Sequence, residues 1–109
     1  MDEAIQVVTT TDSEQIAQAI ARDLVENQLA ACVQVGGPVT SVYRWEGRIE
    51  TATEWTCAIK TVRDLYHALE SRIRKLHNYD VPEIVVLPLV DGSAAYLAWL
   101  REQVVRVQP

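Results

Sequence analysis

From Arg48 to Thr61 nothing interrupts a β pattern, a run far longer than the ~5–6 residues of an ordinary strand. Ile49, Thr51, Thr53, Trp55, Cys57 and Ile59 fall on one side, and Glu50, Glu54, Thr56 and Lys60 on the other. Glu46-Gly47 just before it is a two-residue hairpin signal, so Val39 to Trp45 should fold back as its partner. That turn sets Trp45 opposite Arg48 and Tyr43 opposite Glu50. Tyr43, Trp45, Arg48, Glu50, Glu54 and Lys60 would then share one sheet face. Val42, Trp55, Cys57 and Ile59 would share the other, more apolar face, which is assigned to the helices. A bulge would flip this register, and the Gly36–Pro38 break can reset the parity upstream. If it does, Cys32 joins Gln34 on the polar face that carries Lys60.

The remaining elements follow from periodicity. Ala4 to Thr9 is a short β-rich run, and Asp12 with Gln15 has the spacing of a capping box. Ile16, Ile20 and Leu24, four residues apart, predict an amphipathic helix to about Gln28. Leu65, Leu69, Ile73 and Leu76 mark the buried stripe of a second helix. Glu83 to Leu89 is almost continuously apolar, as in a central strand buried on both faces or a subunit contact. Pro88 belongs at its end or at a bulge. Tyr96, Leu97, Leu100 and Val104 make a last amphipathic helix. The order β-α-β-β-α-β predicts an α+β, ferredoxin-like antiparallel sheet with two helices on one face, plus an additional C-terminal helix. At 109 residues the chain is expected to form a single domain over 1–109.

Two helices on one side leave the opposite sheet face open, with two large aromatics on it. Exposed aromatic surface and long strand edges point to a homo-oligomer. The formal net charge of −5 argues against nucleic acid, which calls for a basic face. No apolar run approaches the ~20 residues that span a bilayer. The opening Met1-Asp2-Glu3 lacks a basic leader, and Cys32 and Cys57 are expected to be thiols in a reducing compartment.

No strong catalytic motif is present. Thr9-Thr10-Thr11 reads as a backbone-bonding loop ahead of the first helix. Cys32 is either a small buried hydrophobe or a member of the polar face. Lys60, a lone cation in an apolar strand end, either pairs with Glu54 or Glu50 or faces an anionic ligand in a cleft. His77 and Tyr79 lie in a helix-to-strand loop, where functional residues concentrate.

The segments LAACVQV (29–35), SVYRWEGRIE (41–50), EWTCAIKT (54–61), HNYDVPEIVVLP (77–88) and YLAWL (96–100) resemble the divalent-cation-tolerance, or CutA, family, in order and at family-like spacing. The resemblance implies a ferredoxin-like homotrimer in the cytoplasm with a role in tolerance to copper and other divalent metals. It implies a polar cleft between subunits lined by Cys32, Trp45, Glu54, Lys60, His77, Tyr79 and Glu83. Metal-binding members carry a cysteine at the position of Thr9 and a histidine at that of Leu76. His77 and Cys32 are therefore the metal-ligand candidates left here, enough for weak copper binding shared between subunits, with no cofactor required. The expected function is a non-enzymatic trimer that binds a metal or small ligand in the cleft and signals to a partner. The alternative is an enzyme that uses the same cleft on a small anionic substrate. Neither nucleic acid nor membrane is expected as a partner.

Overall fold

The computed structural model describes residues 3–106, so Met1 and Asp2, part of the opening read above, lie outside the described residues. The elements are β1 (Ala4–Thr11), α1 (Glu14–Glu26), β2 (Cys32–Trp45), β3 (Arg48–Val62), a 3-10 turn (Arg63–Leu65), α2 (Tyr66–Leu76), β4 (Ile84–Pro88) and α3 (Ala94–Glu102). The four strands form one sheet in the order β2-β3-β1-β4, and every pairing is antiparallel. This is the split βαβ, ferredoxin-like arrangement expected from the element order.

Alternation within β1 decides which face meets the helices. Ile5, Val7, Thr9 and Thr11 are buried, whereas Gln6, Val8 and Thr10 are only partly so. The buried side packs with Cys57 and Ile59 of β3 against Ala17, Ile20 and Leu24 of α1 and Leu69 and Ile73 of α2. Each fully buried leucine or isoleucine there contributes roughly 1.5–3 kcal/mol. Arg72 donates to both oxygens of Asp23 at 2.8 Å and fastens α2 to α1. The third helix lies elsewhere: Leu100, with Val104 beyond it, packs on Ala4, Ala31, Val62 and Leu65 and makes a second, smaller core.

Three local features differ from expectation. The cap of α1 is Ser13, whose Oγ accepts from the Ile16 N–H, while Asp12 accepts from Asn78. Adjacent Asp and Ser are both good caps, and Asp12 is held by the later loop. Thr9-Thr10-Thr11 is not a loop, because β1 runs through all three and pairs them with Cys57, Thr56 and Trp55. The apolar strand β4 is an edge strand, not a central one, and leaves Val85 and Leu87 exposed. Of the two readings of that run, burial on both faces is thereby removed.

The hairpin register is the one read from the sequence: Tyr43 opposes Glu50 and Trp45 opposes Arg48. Glu46 and Gly47 both have positive φ, 51° and 78°, as a twist-matched two-residue turn requires. Between Gly36 and Val39 the register shifts, since Gly36 faces Thr56 and Val39 faces Glu54. One extra residue on β2 is a bulge, and it resets the parity. Cys32 and Gln34 consequently share the open sheet face with Lys60.

Candidate functional site

Beyond Thr11 and Trp55, β1 stops pairing and the β2–β3 hairpin continues alone. The corner between that projecting hairpin and the α2–β4 loop is a hollow of about 660 Å³. Thr10, Ser41, Val42, Tyr43, Trp45, Glu54, Tyr79, Asp80, Val81 and Glu83 line it. Trp45, Glu54, Tyr79 and Glu83 are thus brought together within one chain, while Cys32, Lys60 and His77, the other residues implied for a cleft between subunits, do not line this hollow.

Glu54 is 7% exposed, and Tyr79 Oη donates to its Oε2 at 2.7 Å. Burial, then the hydrogen bond to Glu54 and its charge, hold the Tyr79 phenol well above its usual value. Thr10 Oγ1 lies 3.5 Å from Glu83 Oε1, at the limit of a hydrogen bond.

The loop that carries Tyr79 is tied to the end of β1. Thr11 Oγ1 donates to Asn78 Oδ1 and Asn78 Nδ2 donates to Asp12 Oδ1, each at 2.7 Å. Tyr79 N–H donates to His77 Nδ1 at 3.0 Å. That leaves Nδ1 as an acceptor, so Nε2 carries the hydrogen and donates to Thr10 O at 2.7 Å. Both ring nitrogens of His77 are thereby engaged by backbone.

Cys32 and Lys60 face each other across β2 and β3, at the far end of the same sheet face. Lys60 Nζ donates to Gln34 Oε1 at 3.3 Å. The expected ion pair with Glu54 or Glu50 is therefore corrected. Glu54 shares the face of Lys60 but stands six positions along β3, roughly 20 Å at strand spacing, and Glu50 is farther still. Parity selects a face and leaves distance open.

The same spacing separates the two metal-ligand candidates. His77 is bonded to Thr10, which pairs with Thr56, four positions along β3 from the Lys60 that opposes Cys32. That is roughly 13 Å of strand. Within one chain this donor set does not fit a copper or zinc ion, and the described residues hold no group of three metal-ligating side chains.

Sequence reasoning missed Thr10, Ser41, Val42, Tyr43, Asp80 and Val81 in the lining, and the Thr11–Asn78–Asp12 tie behind it; Val42, assigned to the helix-packed face, is instead 66% exposed, because the hairpin projects past the end of β1. Extending the alternation of Gln6 and Val8 by two residues would have put Thr10 on the open face. For the tie, made by loop residues far apart in sequence, no local signal exists.

The sequence profile of the CutA1 divalent ion tolerance protein family matches residues 5–103. The divalent-cation tolerance protein CutA of Thermus thermophilus is 45% identical over 96 residues, 88% of this chain and 93% of that protein. A solved structure of the divalent cation tolerance protein from the same organism superposes with a TM-score of 0.91 at 42% identity, covering 94% of this chain and 99% of the other. Protein CutA of Homo sapiens is 42% identical over 93 residues, 85% of this chain, and the chain spans only 52% of that longer protein. A structure described as the periplasmic divalent cation tolerance protein CutA of Archaeoglobus fulgidus has a TM-score of 0.88 at 33% identity, covering 92% of this chain and 97% of the other. The profile, the identities and the shared fold agree, and this chain belongs to the CutA1 divalent ion tolerance family.

Proposed function

We propose that the chain works as a non-enzymatic homotrimer in divalent-cation tolerance, and that its sheet-face hollow, completed by a neighbouring subunit, binds a small ligand or metal ion whose presence is signalled to a partner. One observation carries this reading: the uncovered sheet face exposes large aromatic and aliphatic side chains among its polar ones, a surface that a monomer would leave in water. Trp45 is 51% exposed, and Tyr43, Val85 and Leu87 lie open on the same face. The hairpin lengthens the molecule to 44 × 27 × 23 Å and presents free edges to another chain. A patch of this kind is what a subunit contact buries.

A binding role suits the commitments of the polar groups. The Tyr79 hydroxyl is held by Glu54, and His77 is held by two backbone groups, so neither stands ready to move a proton. Any copper bound through Cys32 and His77 would draw them from different subunits and would have to displace a backbone partner of the His77 ring, and weak binding follows from that and from so few ligands. Two free thiols suit the cytoplasm, and none of the helices is long and apolar enough to cross a membrane among the described residues.

Light scattering at micromolar chain concentration and neutral pH tests the assembly. A three-chain mass is expected for the wild type, with dissociation on Trp45→Asp, which would bury an unpaired charge. A monomeric wild type removes the intersubunit site. Copper titration of the wild type, Cys32→Ser and His77→Ala then tests the metal. Weakened binding in both variants is expected, and unchanged binding in both places the metal elsewhere.

A further inference from the structure

Lys60 is a half-buried ammonium on the open sheet face, and its polar partner there is the neutral Gln34 Oε1, 3.3 Å away. None of the ion pairs among the described residues includes it. Its row across the sheet holds Cys32 on β2, Gln6 on β1 and Leu87 on β4, with no carboxylate. Glu3, just before β1, is taken by Arg63 at 2.9 Å. Glu54, the nearest acid along β3 on this face, stands six positions away, roughly 20 Å at strand spacing.

An ammonium so placed keeps its charge through water, and it can do so only while the face is bare. The foot of that face is already closed by α3, because Leu100 packs on Ala4 and Val62, which alternate with Gln6 and Lys60 along their strands. Leu87, 49% exposed, shares the Lys60 row two strands away, about 10 Å across the sheet. A subunit contact that covers Leu87 therefore reaches Lys60 as well. Stripping water from an ammonium is costly unless an opposite charge replaces it. Within one chain Lys60 finds no such charge, so the second copy has to bring it.

A ring of three identical chains closes only through two different patches, one on each side of every contact. The open face is divided as such a contact requires. Lys60 stands at its foot, and carboxylates stand toward its hairpin half, Glu54 on β3 and Glu83 beside Thr10. At the hairpin tip Arg48 has Glu50 two positions along the same face. We propose that Lys60 of one copy pairs with Glu54 or Glu83 of the next, so that the foot of one sheet face closes the hollow of its neighbour. A carboxylate accepts from more than one donor, so the Tyr79 hydrogen bond to Glu54 does not stand in the way. This rests on the trimer reading and names the residue through which a neighbour completes the hollow.

Carbodiimide coupling of the wild-type oligomer tests this, since the reagent joins an amine to a touching carboxylate with no spacer between them. The chain has one other lysine, Lys75 on α2, so the peptide that carries Lys60 is read without ambiguity by mass spectrometry. An amide from Lys60 to Glu54 or Glu83 is expected. Oligomers mixed from isotope-labelled and unlabelled chains should give it as light–heavy pairs. Light scattering on a dilution series adds a second readout. Lys60→Glu should raise the concentration at which the oligomer dissociates about ten-fold or more, and Lys60→Arg should hold it within about three-fold of the wild type.

A light–heavy amide to Glu54 or Glu83 in a protein of trimer mass bears the pairing out, even where Lys60→Glu fails to fold. A trimer whose Lys60 is recovered uncoupled, or coupled only within its own chain or to another carboxylate, overturns the pairing and leaves the trimer standing. A Lys60→Glu protein that assembles as tightly as the wild type overturns it as well. A monomeric wild type removes the pairing and the trimer together.

Discussion

Tyr79 and Glu54, one from a loop and one from the middle of the longest strand, meet through a 2.7 Å hydrogen bond at the only buried carboxylate among the described residues. Removing the donor with Tyr79→Phe leaves Glu54 buried without a partner, which should cost about 1–3 kcal/mol. Denaturant unfolding at fixed chain concentration measures this, since assembly makes stability concentration-dependent.

The same contact sets an alkaline limit. Burial first, then the Glu54 hydrogen bond and charge, raise the Tyr79 phenol above its unfolded value of about 10. The stabilisation linked to this proton is complete below pH ~10 and is lost as pH rises toward the folded value, because the unfolded chain releases its proton first. Stability should therefore fall above about pH 10, and less steeply in Tyr79→Phe. Tyr66 and Tyr96 are also raised, chiefly by burial, so part of the slope should persist.

Gly37 sits in the bulge with φ +146°, and a Cβ there would come within 2.8 Å of Trp55 Cδ1 and 3.0 Å of Glu54 O. Neither a backbone carbonyl nor a packed indole yields easily. Gly37→Ala should destabilise by about 1–3 kcal/mol through strain alone. Because the bulge sets the parity of Cys32 and Gln34, the variant should also change the amide shifts of β2 on both sides of it. An unaltered midpoint and spectrum would show that the bulge absorbs the methyl group.

The hairpin was readable because two local signals agreed: strict alternation along β3 and a turn dipeptide able to take positive φ. The bulge was readable as a possibility, since Gly-Gly-Pro breaks a ladder, although its parity was not. Lys60 was misplaced because residues on one strand face can be 20 Å apart or adjacent, and periodicity cannot tell which. The apolar run of β4 was misread in part because an edge strand facing an open sheet surface has the composition of a buried one. Glu54, Tyr79, Trp45 and Glu83 were named through their motifs. The ties that hold them, from Thr10 to His77 and from Asp12 to Asn78, join segments more than sixty residues apart and leave no local trace.

Thr9 is fully buried on the helix-facing side of β1, and its Oγ1 has no hydrogen-bond partner among the described residues. A desolvated hydroxyl left unmatched is a net penalty, and valine has nearly the same shape. Thr9→Val should raise stability by about 1 kcal/mol, seen as a higher denaturant midpoint with an unchanged slope. Destabilisation would mean that a partner for Oγ1, such as a buried water, occupies this core.

The pairing of Asp23 with Arg72 predicts the behaviour in acid. The Arg72 hydrogen bonds, opposed by partial burial and aided by its charge and by Asn27, hold the Asp23 carboxyl below its ordinary value. A carboxylate lowered in the folded state stabilises above its unfolded value of about 3.9, and that stabilisation is lost as pH falls through the folded value. Asp23→Asn removes the proton-linked part, so its stability should change less than the wild type's between pH 5 and pH 2. Arg72→Met should flatten the same limb by taking away the cause. Because the pair joins α1 to α2 across the buried core, both variants should also lose protection at Leu24 and Leu69 in hydrogen exchange. Equal acid slopes in all three proteins would show that this ion pair, half-exposed on the arginine side, is already screened by solvent in the folded state.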